Sequence, residues 1–539
     1  MNRLLDVLPA FENDPRIQLV VTAIDADPFQ DGLAKALIGT GLITIPWEQA
    51  KNTPFDLAIS ASNHGDLADI PARRVILSHG IGYTKYPPTR DQGPGTRDQG
   101  PGTRDQGPGT RDQGPFGLSP EWLLSGGVPI ADAFVLSHTD QLRLLEETVP
   151  AAAPTGVVAG DPCLDRIQAS LPLRQRYRAA LGIGDRALVL LTSTWSRRSL
   201  LGARPNLPRE LLSELSPDSH VVALVLHPNI THGQGAASVR QWYADCLRSG
   251  MLILDEVDGW RAGLVAADVV IGDVGSVSGY GAAIGRPTLI GAFDKVPPNT
   301  AIAALGAIAP RLPLHGPYMP AIATASATSA SELFAPVTEL ATSAPGESLS
   351  LLRTCFYELM DLTEPKHEVA IAPVSSIDIA TRYDGAGAHF VHHEVDVERR
   401  LVRLSRRPAE VQRSGRDDDT DLHLSSSVDY PIRSLRTGSA VLTCRPEDPG
   451  TDREGWHQNV FARHPRCSVS AVPAGETVIA QLRSGPTLTL TAPAVPPEVL
   501  ASIPHAWRAA GLDPLELAPG VLLVLSGNEH QVAVTAGPR

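Results

Sequence analysis

The sequence predicts an α/β protein in which two domains with parallel sheets precede an α+β region. Up to about residue 365, short apolar runs rich in β-branched residues alternate with segments of helical spacing, which is typical of strand–helix–strand units. After Pro365, strand-like runs follow one another with little helix between them. A length of 539 residues with 42% apolar residues is sufficient for three or four domain cores.

The first domain is expected over residues 1–165. Its strand-like runs are short and apolar: Ile17–Ala23, Leu42–Ile45, Leu57–Ser60, Arg74–Leu77, Ala133–Leu136 and Val157–Ala159. Residues 31–39 and 139–147 have helical spacing. Strands separated by helices predict a parallel sheet with crossover connections.

A perfect heptapeptide repeat interrupts this domain. Thr-Arg-Asp-Gln-Gly-Pro-Gly at residues 89–95 recurs at 96–102 and 103–109, and a fourth copy begins at Thr110. Gly-Pro-Gly in each copy prevents a helix, and no copy has an apolar residue to bury. The repeat therefore predicts a disordered loop over residues 87–118.

The second domain is expected over residues 166–365 and shows the same alternation. Its strand-like runs are Ala187–Thr192, Val221–Leu226, Leu252–Leu254, Val269–Ile271 and Pro287–Ile290. The helices predicted between and beside them are Leu173–Leu181, Trp260–Ala267 and Ser278–Ile284. A stretch rich in Pro, Ala, Ser and Thr follows from residue 296 to 345, and the helix Leu349–Leu362 is expected to close this domain.

Residues 366–539 are expected to form an α+β accessory domain whose role no motif indicates. The strand-like runs here are Leu401–Leu404, Ala440–Cys444, Thr477–Leu482, Thr487–Thr491 and Val521–Leu525. One helix, Pro497–Ala510, begins with proline in its first turn and ends at Gly511.

The composition excludes several classes of protein. A formal net charge of −13 excludes a wholly basic surface for nucleic acid. The five cysteines include no Cys-x-x-Cys pair, which disfavours a disulfide framework and a structural zinc. The first residues lack the apolar stretch of a secretory signal, and the apolar runs are far shorter than the ~20 residues that span a bilayer. We therefore expect a cytoplasmic protein.

The first candidate site is the loop that follows the strand Arg74–Leu77, because loops at the carboxyl ends of parallel strands line the ligand crevice. His79 is placed there to act on a ligand. Gly80 and Gly82 allow close approach of the backbone to a ligand, and Lys85 can meet a phosphate. The alternative is a histidine whose hydrogen bonds are satisfied within the loop, beside a solvated lysine.

Two strand ends in the second domain carry further polar residues. Thr192 and Thr194 end one strand and Arg197 follows, a set that suits contact with a phosphate or a base. His227 ends the next strand, which Pro228 terminates. The alternatives are a solvated arginine and a histidine that caps a helix or packs in the core.

The third constellation is a strand-to-helix turn that contains Asp273, Gly275, Ser276, Val277 and Ser278. Small residues let the backbone close on an anion, and a helix N-terminus supplies unpaired N–H groups and partial positive charge. The alternative is an ordinary turn with a serine cap. The turn lacks the Gly-Lys-Ser/Thr of a Walker A loop and is not a Gly-x-Gly-x-x-Gly turn, which disfavours a nicotinamide enzyme.

The order of these motifs resembles the CDP-glycerol glycerophosphotransferases, which are the teichoic-acid primases and polymerases. The resemblance is to a divergent, actinobacterial-type member and covers about residues 70–295. The motifs that carry it are Ser78-His79-Gly80 with Lys85, Thr192-Ser193-Thr194-Trp195, His227-Pro228, Asp273-Val274-Gly275-Ser276 and Gly285-Arg286-Pro287. It implies a GT-B fold, in which two Rossmann-like domains face a cleft and the nucleotide donor binds mainly to the second.

The resemblance also implies roles. His79 and His227 would be the catalytic histidines, one as the base that activates an acceptor hydroxyl and the other in contact with donor phosphate. Ser276 would bind the donor pyrophosphate. No metal and no cofactor is expected, because helix dipoles with Ser and Arg groups can stabilise a leaving phosphate.

The sequence departs from the family pattern at two turns. Tyr-Ser-Ser of the family is here Val274-Gly275-Ser276, so one hydroxyl is missing and Ser278 is the nearest substitute. His-Gly-Thr is here His79-Gly80-Ile81, and the chain is acidic where the family's polymerases tend to be basic.

The predicted function is transfer of a glycosyl or polyol-phosphate group, similar to glycerophosphate, from a nucleotide-activated donor to a hydroxyl acceptor. The setting would be synthesis of a cell-envelope polymer or glycoconjugate, with an acceptor that can be lipid-linked and with peripheral contact at the inner face of the membrane. Two alternatives are a non-catalytic GT-B scaffold that binds a nucleotide or a partner protein, and an enzyme similar to UDP-sugar 2-epimerases.

Overall fold

A computed structural model describes residues 2–23, 41–62, 67–78, 80–84, 86, 117–375, 377, 379–385, 387–412, 421–450 and 452–537. The helix predicted over residues 31–39 lies outside the described residues, as does the predicted repeat loop up to residue 116. The last residue of that predicted loop, Leu118, is buried in the core of the first domain.

The first domain contains the strands β1 (Val20–Val21), β2 (Ile43–Thr44), β3 (Leu57–Ser60), β4 (Arg73–Ile76), β5 (Leu124–Ser125), β6 (Val128–Pro129), β7 (Ala133–Leu136) and β8 (Gly156–Val158). Its helices are α1 (Asn2–Val7), α2 (Trp47–Lys51), α3 (Pro120–Leu123), α4 (Thr139–Thr148) and α5 (Pro162–Ala169). The predicted parallel sheet is confirmed in the order β3-β4-β7-β8, whereas β1 pairs only with β2 among the described residues. Ile76 faces one core and Val75 the other, so the sheet is covered on both faces.

The second domain is a larger sheet of the same kind. Its strands are β9 (Ala187–Ser193), β10 (His220–Leu226), β11 (Leu252–Leu254), β12 (Val269–Gly272), β13 (Thr288–Ile290) and β14 (Ile379–Thr381). They lie in the order β13-β12-β9-β10-β11-β14, and β14 alone of these is antiparallel to its neighbour. Leu190 and Leu191 face opposite cores, which is why this domain reads as continuous apolar runs.

Helices follow most of these strands: α6 (Arg174–Leu181), α7 (Leu200–Ala203), α8 (Leu207–Glu214), α9 (Pro228–Gln234), α10 (Ala236–Trp242), α11 (Ala244–Arg248), α12 (Gly259–Ala266), α13 (Ser276–Ala283), α14 (Ala301–Ile308), α15 (Met319–Ala327), α16 (Ala330–Leu333), α17 (Ala335–Ala341) and α18 (Ser348–Leu359). The stretch rich in Pro, Ala, Ser and Thr therefore folds into α14–α17. Their apolar faces, which include Ile302 and Ile322, pack on the second sheet.

The helix α18 was expected to close the second domain, and this is corrected by its packing. Leu352 and Phe356 lie in the core of the first domain with Val7 and Phe11. The carboxylate of Asp165 accepts hydrogen bonds from the amide and hydroxyl of Ser348 and so caps α18. The chain thus crosses back to the first domain before it reaches the C-terminal region.

The C-terminal region contains β15 (His389–Asp396), β16 (Leu401–Pro408), β17 (Leu422–Ser427), β18 (Val441–Thr443), β19 (Val469–Ala474), β20 (Thr477–Leu482), β21 (Thr487–Thr491), β22 (Gly520–Leu525) and β23 (Asn528–Ala536), with helices α19 (Arg433–Gly438), α20 (Arg453–Arg463), α21 (Pro497–Leu500) and α22 (Ile503–Ala509). The α+β prediction missed its form, because these strands close into a barrel in the order β15-β16-β22-β23-β21-β20-β19-β18-β17. The single helix predicted over residues 497–510 is two helices, and both bury residues in the barrel core.

The barrel is attached to the second domain by buried polar contacts. Arg406 of β16 forms a bidentate pair with Asp218, whose side chain is fully enclosed. Arg248 of α11 likewise pairs with Glu410, which also accepts the hydroxyl of Tyr430 at 2.6 Å. Among the described residues, no helix combines the length and apolar character needed to cross a membrane.

Candidate functional site

The two domains touch at the turns that the sequence singled out. The loop after β4 contacts the turn after β12, where the amide of Ile81 donates to Ser276 Oγ at 3.3 Å. A Cβ on Gly80 would collide with the same oxygen, so only glycine permits this approach. His79 and Lys85, the other candidates on this loop, lie outside the described residues.

Ile81 is an interdomain contact of its own. Its side chain is fully buried in the core of the second domain, beside Tyr280 and Ile302. A Cβ on Gly279 of α13 would lie 3.1 Å from Ile81 Cδ1, so the loop packs flush on that helix. Ile81 therefore joins the domains through apolar contact.

Asp273 was predicted to line a phosphate site, but its carboxylate points into the protein. It accepts hydrogen bonds from the amide and hydroxyl of Thr194, at 2.8 and 2.9 Å, and from the amide of Leu200 at 2.9 Å. The other oxygen accepts the amide of Gly275 at 2.9 Å. Asp273 thus holds the ends of β9 and β12 together.

Thr192, Thr194 and Ser278 also pack inward. Ser278 is fully buried, and within the described structure its hydroxyl has no hydrogen-bond partner. A Cβ on Gly272 would strike both Ser278 and Thr192, which places the three residues in close contact under the turn. Ser278 therefore does not replace the missing hydroxyl at the surface of the turn.

Gly275 is required by packing. A Cβ at this position would lie 2.9 Å from Thr194 Cγ2 and 3.0 Å from Asp273 Oδ1. In the first turn of α13, Ser276 and Val277 are partly exposed, whereas Ser278 is buried. Of the residues predicted to bind an anion at this turn, only Ser276 and Val277 are therefore accessible to a ligand.

Two other candidates differ in setting. Gly82 has φ +73°, and a Cβ there would collide with the amide of Gln141, so glycine is needed for the loop to turn. Arg197 is exposed, while its neighbour Arg198 pairs with Asp294 at 3.1 Å. The structure thus brings Gly80, Gly82 and Ser276 to one place and leaves Arg197 on the surface.

His227 caps the helix that follows its strand. Its Nδ1 accepts the amide of Asn229 at 3.2 Å, and the residue is half-buried. Since a neutral imidazole that accepts at Nδ1 carries its proton on Nε2, the second ring nitrogen is a hydrogen-bond donor. His227 therefore has the helix-capping role that the sequence analysis gave as an alternative, and this hydrogen bond orients its ring.

The sequence reasoning missed one group of residues beneath these turns. Arg3 of α1, Asp161 and Tyr280 bond to one another, and Arg3 also donates to the carbonyl of Gly80. Burial raises the pKa of the Tyr280 phenol well above its ordinary value, so its hydroxyl stays protonated and donates to Asp161 at 2.7 Å. No local signal marks Arg3, because its partners are 77 to 277 residues away in the chain.

A metal site is not evident in the part of the chain that the structure describes, since no three His, Cys, Asp or Glu side chains are arranged to hold an ion. The cysteines are buried and unpaired. Burial raises the pKa of Cys163 to about 11, so its thiol is protonated at neutral pH.

Comparison with known proteins returned structures but no sequence relatives: no family model and no curated protein matches the chain. A histidine-to-alanine variant of the wall teichoic acid polymerase TagF is similar at 11% identity and a TM-score of 0.42, over 65% of this chain and 84% of that one. HepE of Anabaena, in complex with UDP and glucose, is similar at 12% identity and a TM-score of 0.37. The similarity covers 67% of this chain and 95% of that one.

A third similar structure is a putative UDP-N-acetylglucosamine 2-epimerase from Listeria monocytogenes, with 14% identity and a TM-score of 0.37. The similarity covers 68% of this chain and 96% of that one. At such identities and TM-scores these likenesses assign neither a donor nor a reaction to this chain.

Proposed function

We propose that the two α/β domains form a transferase that moves a glycosyl or polyol-phosphate group from a nucleotide-activated donor to a hydroxyl acceptor. The observation that carries the proposal is the contact between Gly80-Ile81 and Ser276. It joins the candidate acceptor loop of one domain to the first turn of a helix in the other, at the carboxyl ends of both sheets.

The chemistry follows from the groups at this edge. An acceptor hydroxyl attacks the donor, its proton passes to a base, and the nucleotide leaves with its negative charge. The N-terminus of α13 and the hydroxyl of Ser276 stabilise that charge. We assign the phosphate contact to His227, whose second ring nitrogen is a donor, and the role of base to His79.

One observation favours a second candidate, a non-catalytic scaffold that binds a nucleotide or a partner protein. The Ser276 hydroxyl already accepts the amide of Ile81, and Asp273 is fully engaged within the turn. A non-catalytic scaffold needs no hydroxyl directed at a leaving group, so these internal hydrogen bonds are compatible with that role.

Calorimetric titration with CDP-, UDP-, GDP- and dTDP-linked glycerol or sugars tests the two candidates. A bound donor at ~100 times its dissociation constant should stabilise the fold by about 2.7 kcal/mol, which a thermal melt detects. Binding followed by transfer to an added polyol acceptor supports the transferase. Binding without turnover supports the scaffold, and a 2-epimerised sugar among the products would instead support the epimerase.

His227→Asn is expected to lower kcat at least about 100-fold while the melting temperature stays near that of the parent protein. Asparagine is a good N-cap, so it can still accept the amide of Asn229, but it lacks the second ring nitrogen. His315→Asn, at an exposed histidine, is the matched control and should leave kcat unchanged. Full activity of His227→Asn would contradict the assignment.

A further inference from the structure

The N-terminal helix α1 places a buried cation at the junction of the two domains. The Arg3 side chain is 12% exposed and its partner Asp161 is fully enclosed. Arg3 Nη1 donates to Asp161 Oδ1 at 2.5 Å, and Arg3 Nη2 donates to the carbonyl of Gly80 and to the hydroxyl of Tyr280. One guanidinium therefore contacts three segments that are distant in sequence.

These segments are the parts of the proposed cleft. Gly80 lies on the first-domain loop, Asp161 is the N-cap of α5 at the connection between the domains, and Tyr280 lies on α13. Tyr280 also donates to Asp161 at 2.7 Å, so Arg3, Asp161 and Tyr280 form a closed triangle of hydrogen bonds. The Arg3 guanidinium lies 5.7 Å from the centre of the Tyr280 ring.

The bond to Gly80 has a direct consequence for the loop. The carbonyl of Gly80 and the amide of Ile81 belong to the same peptide group, and that amide donates to Ser276 at 3.3 Å. A donor on the carbonyl side therefore fixes the direction in which the amide points. Arg3, together with the amide of Gly82, which donates to the same carbonyl at 2.8 Å, thus sets the orientation of the peptide that joins the two candidate turns.

We propose that Arg3 is a positioning residue that holds the loop of residues 80–84 on the first turn of α13 and so sets the geometry between the acceptor and donor sides of the cleft. This rests on the proposed function for its catalytic meaning, but the contact itself can be tested without turnover. The planar fork of arginine donates to several acceptors at once, which lysine cannot reproduce at this site.

The first test is hydrogen–deuterium exchange by mass spectrometry on the full chain. Peptides covering residues 80–84 should exchange about tenfold faster in Arg3→Met, because the loop loses a charge-assisted hydrogen bond. Arg3→Lys should give an intermediate rate. Tyr280→Phe removes one acceptor and keeps the ring, so it reports on the same contact if Arg3→Met fails to fold.

The control is Arg16→Met, since Arg16 is on the same N-terminal segment but pairs with Asp14 away from the cleft. It should leave exchange in the loop unchanged. If Arg3→Met and Tyr280→Phe also leave it unchanged, the proposal is overturned whatever the activity of the protein.

The second test separates positioning from donor binding. With a donor found by titration, Arg3→Lys should lower kcat about tenfold and leave the donor KM within twofold, because the loop moves while the second domain still binds. A rise of about tenfold in the donor KM with kcat unchanged would overturn the positioning role. If the parent protein turns over no donor, the proposed function fails, and the exchange result alone decides the role of Arg3.

Discussion

Replacing Asp6 with alanine is expected to lower the free energy of unfolding by about 3–5 kcal/mol, because it removes the fully enclosed carboxylate that pairs with a buried arginine, whose other acidic partner, Asp258, is partly exposed. The side chain of Asp6 is fully enclosed, and it pairs with Arg261 at 2.6 Å and with Arg166 at 3.3 Å. Arg261 is itself only 1% exposed and lies on α12 of the second domain. The pair therefore fastens the N-terminal helix to the second domain.

Chemical denaturation followed by tryptophan fluorescence measures this effect, since Arg261 lies 4.7 Å from the centre of the Trp260 ring. The double variant Asp6→Leu with Arg261→Met removes both charges and should recover most of the loss. Glu394→Ala breaks an exposed pair with Arg403 and should cost less than about 1 kcal/mol. A loss that small for Asp6→Ala would show that the network contributes little.

Acidification is expected to destabilise the barrel well before its carboxylates are protonated. Burial, with a smaller contribution from Arg406, lowers the pKa of His389 to about 3. Burial also lowers the pKa of His457 and of His505 to about 4, assisted by Arg453 and by His393 with Arg508 respectively. The folded barrel therefore keeps these rings neutral at a pH where an unfolded chain binds protons.

The sign of the effect follows from these shifts. Above the ordinary histidine pKa of 6.5, neither state binds a proton and stability is full. As the pH falls below that value, only the unfolded chain takes up protons, so stability decreases until the folded pKa of about 4 is reached. The slope is up to about 1.4 kcal/mol per pH unit for each such histidine.

Variants make this prediction specific to the barrel. In the parent protein, His505 Nδ1 lies 2.7 Å from the Ser468 hydroxyl oxygen. In His505→Asn the side-chain amide oxygen can take the place of Nδ1 in this hydrogen bond, but the amide does not titrate. Its stability should change less between pH 7 and pH 5 than that of the parent protein. His315→Asn should change nothing, because that histidine is exposed. Equal slopes for all three proteins would contradict the assignment.

Local patterning was sufficient for most of the two α/β domains. Leu57–Ser60, Ala133–Leu136 and Leu252–Leu254 form strands with the predicted bounds, because buried parallel strands are short apolar runs between helices. Two barrel strands, Thr477–Leu482 and Thr487–Thr491, also have the predicted bounds. In these segments the apolar positions in the sequence are the positions that the folded protein buries, so the pattern alone indicates the strand.

The barrel as a whole was not predictable in this way. His389–Asp396 and Leu422–Ser427 are rich in histidine and serine and do not read as apolar runs. They become strands because they pair with each other and with distant strands, for example His389 with Ser425. Closure depends on pairings such as β16 with β22, which lie more than a hundred residues apart.

The candidate site also has one part that the sequence predicted and one part that it did not. The order of strands and helices by itself determined which turns lie at the carboxyl ends of the sheets, since parallel strands share that edge. Only the tertiary structure decided that Asp273 points inward, that Ser278 is buried and that Arg3 meets Gly80. These contacts depend on how the two sheets pack against each other, and sequence spacing carries no information about side chains that meet across such a junction.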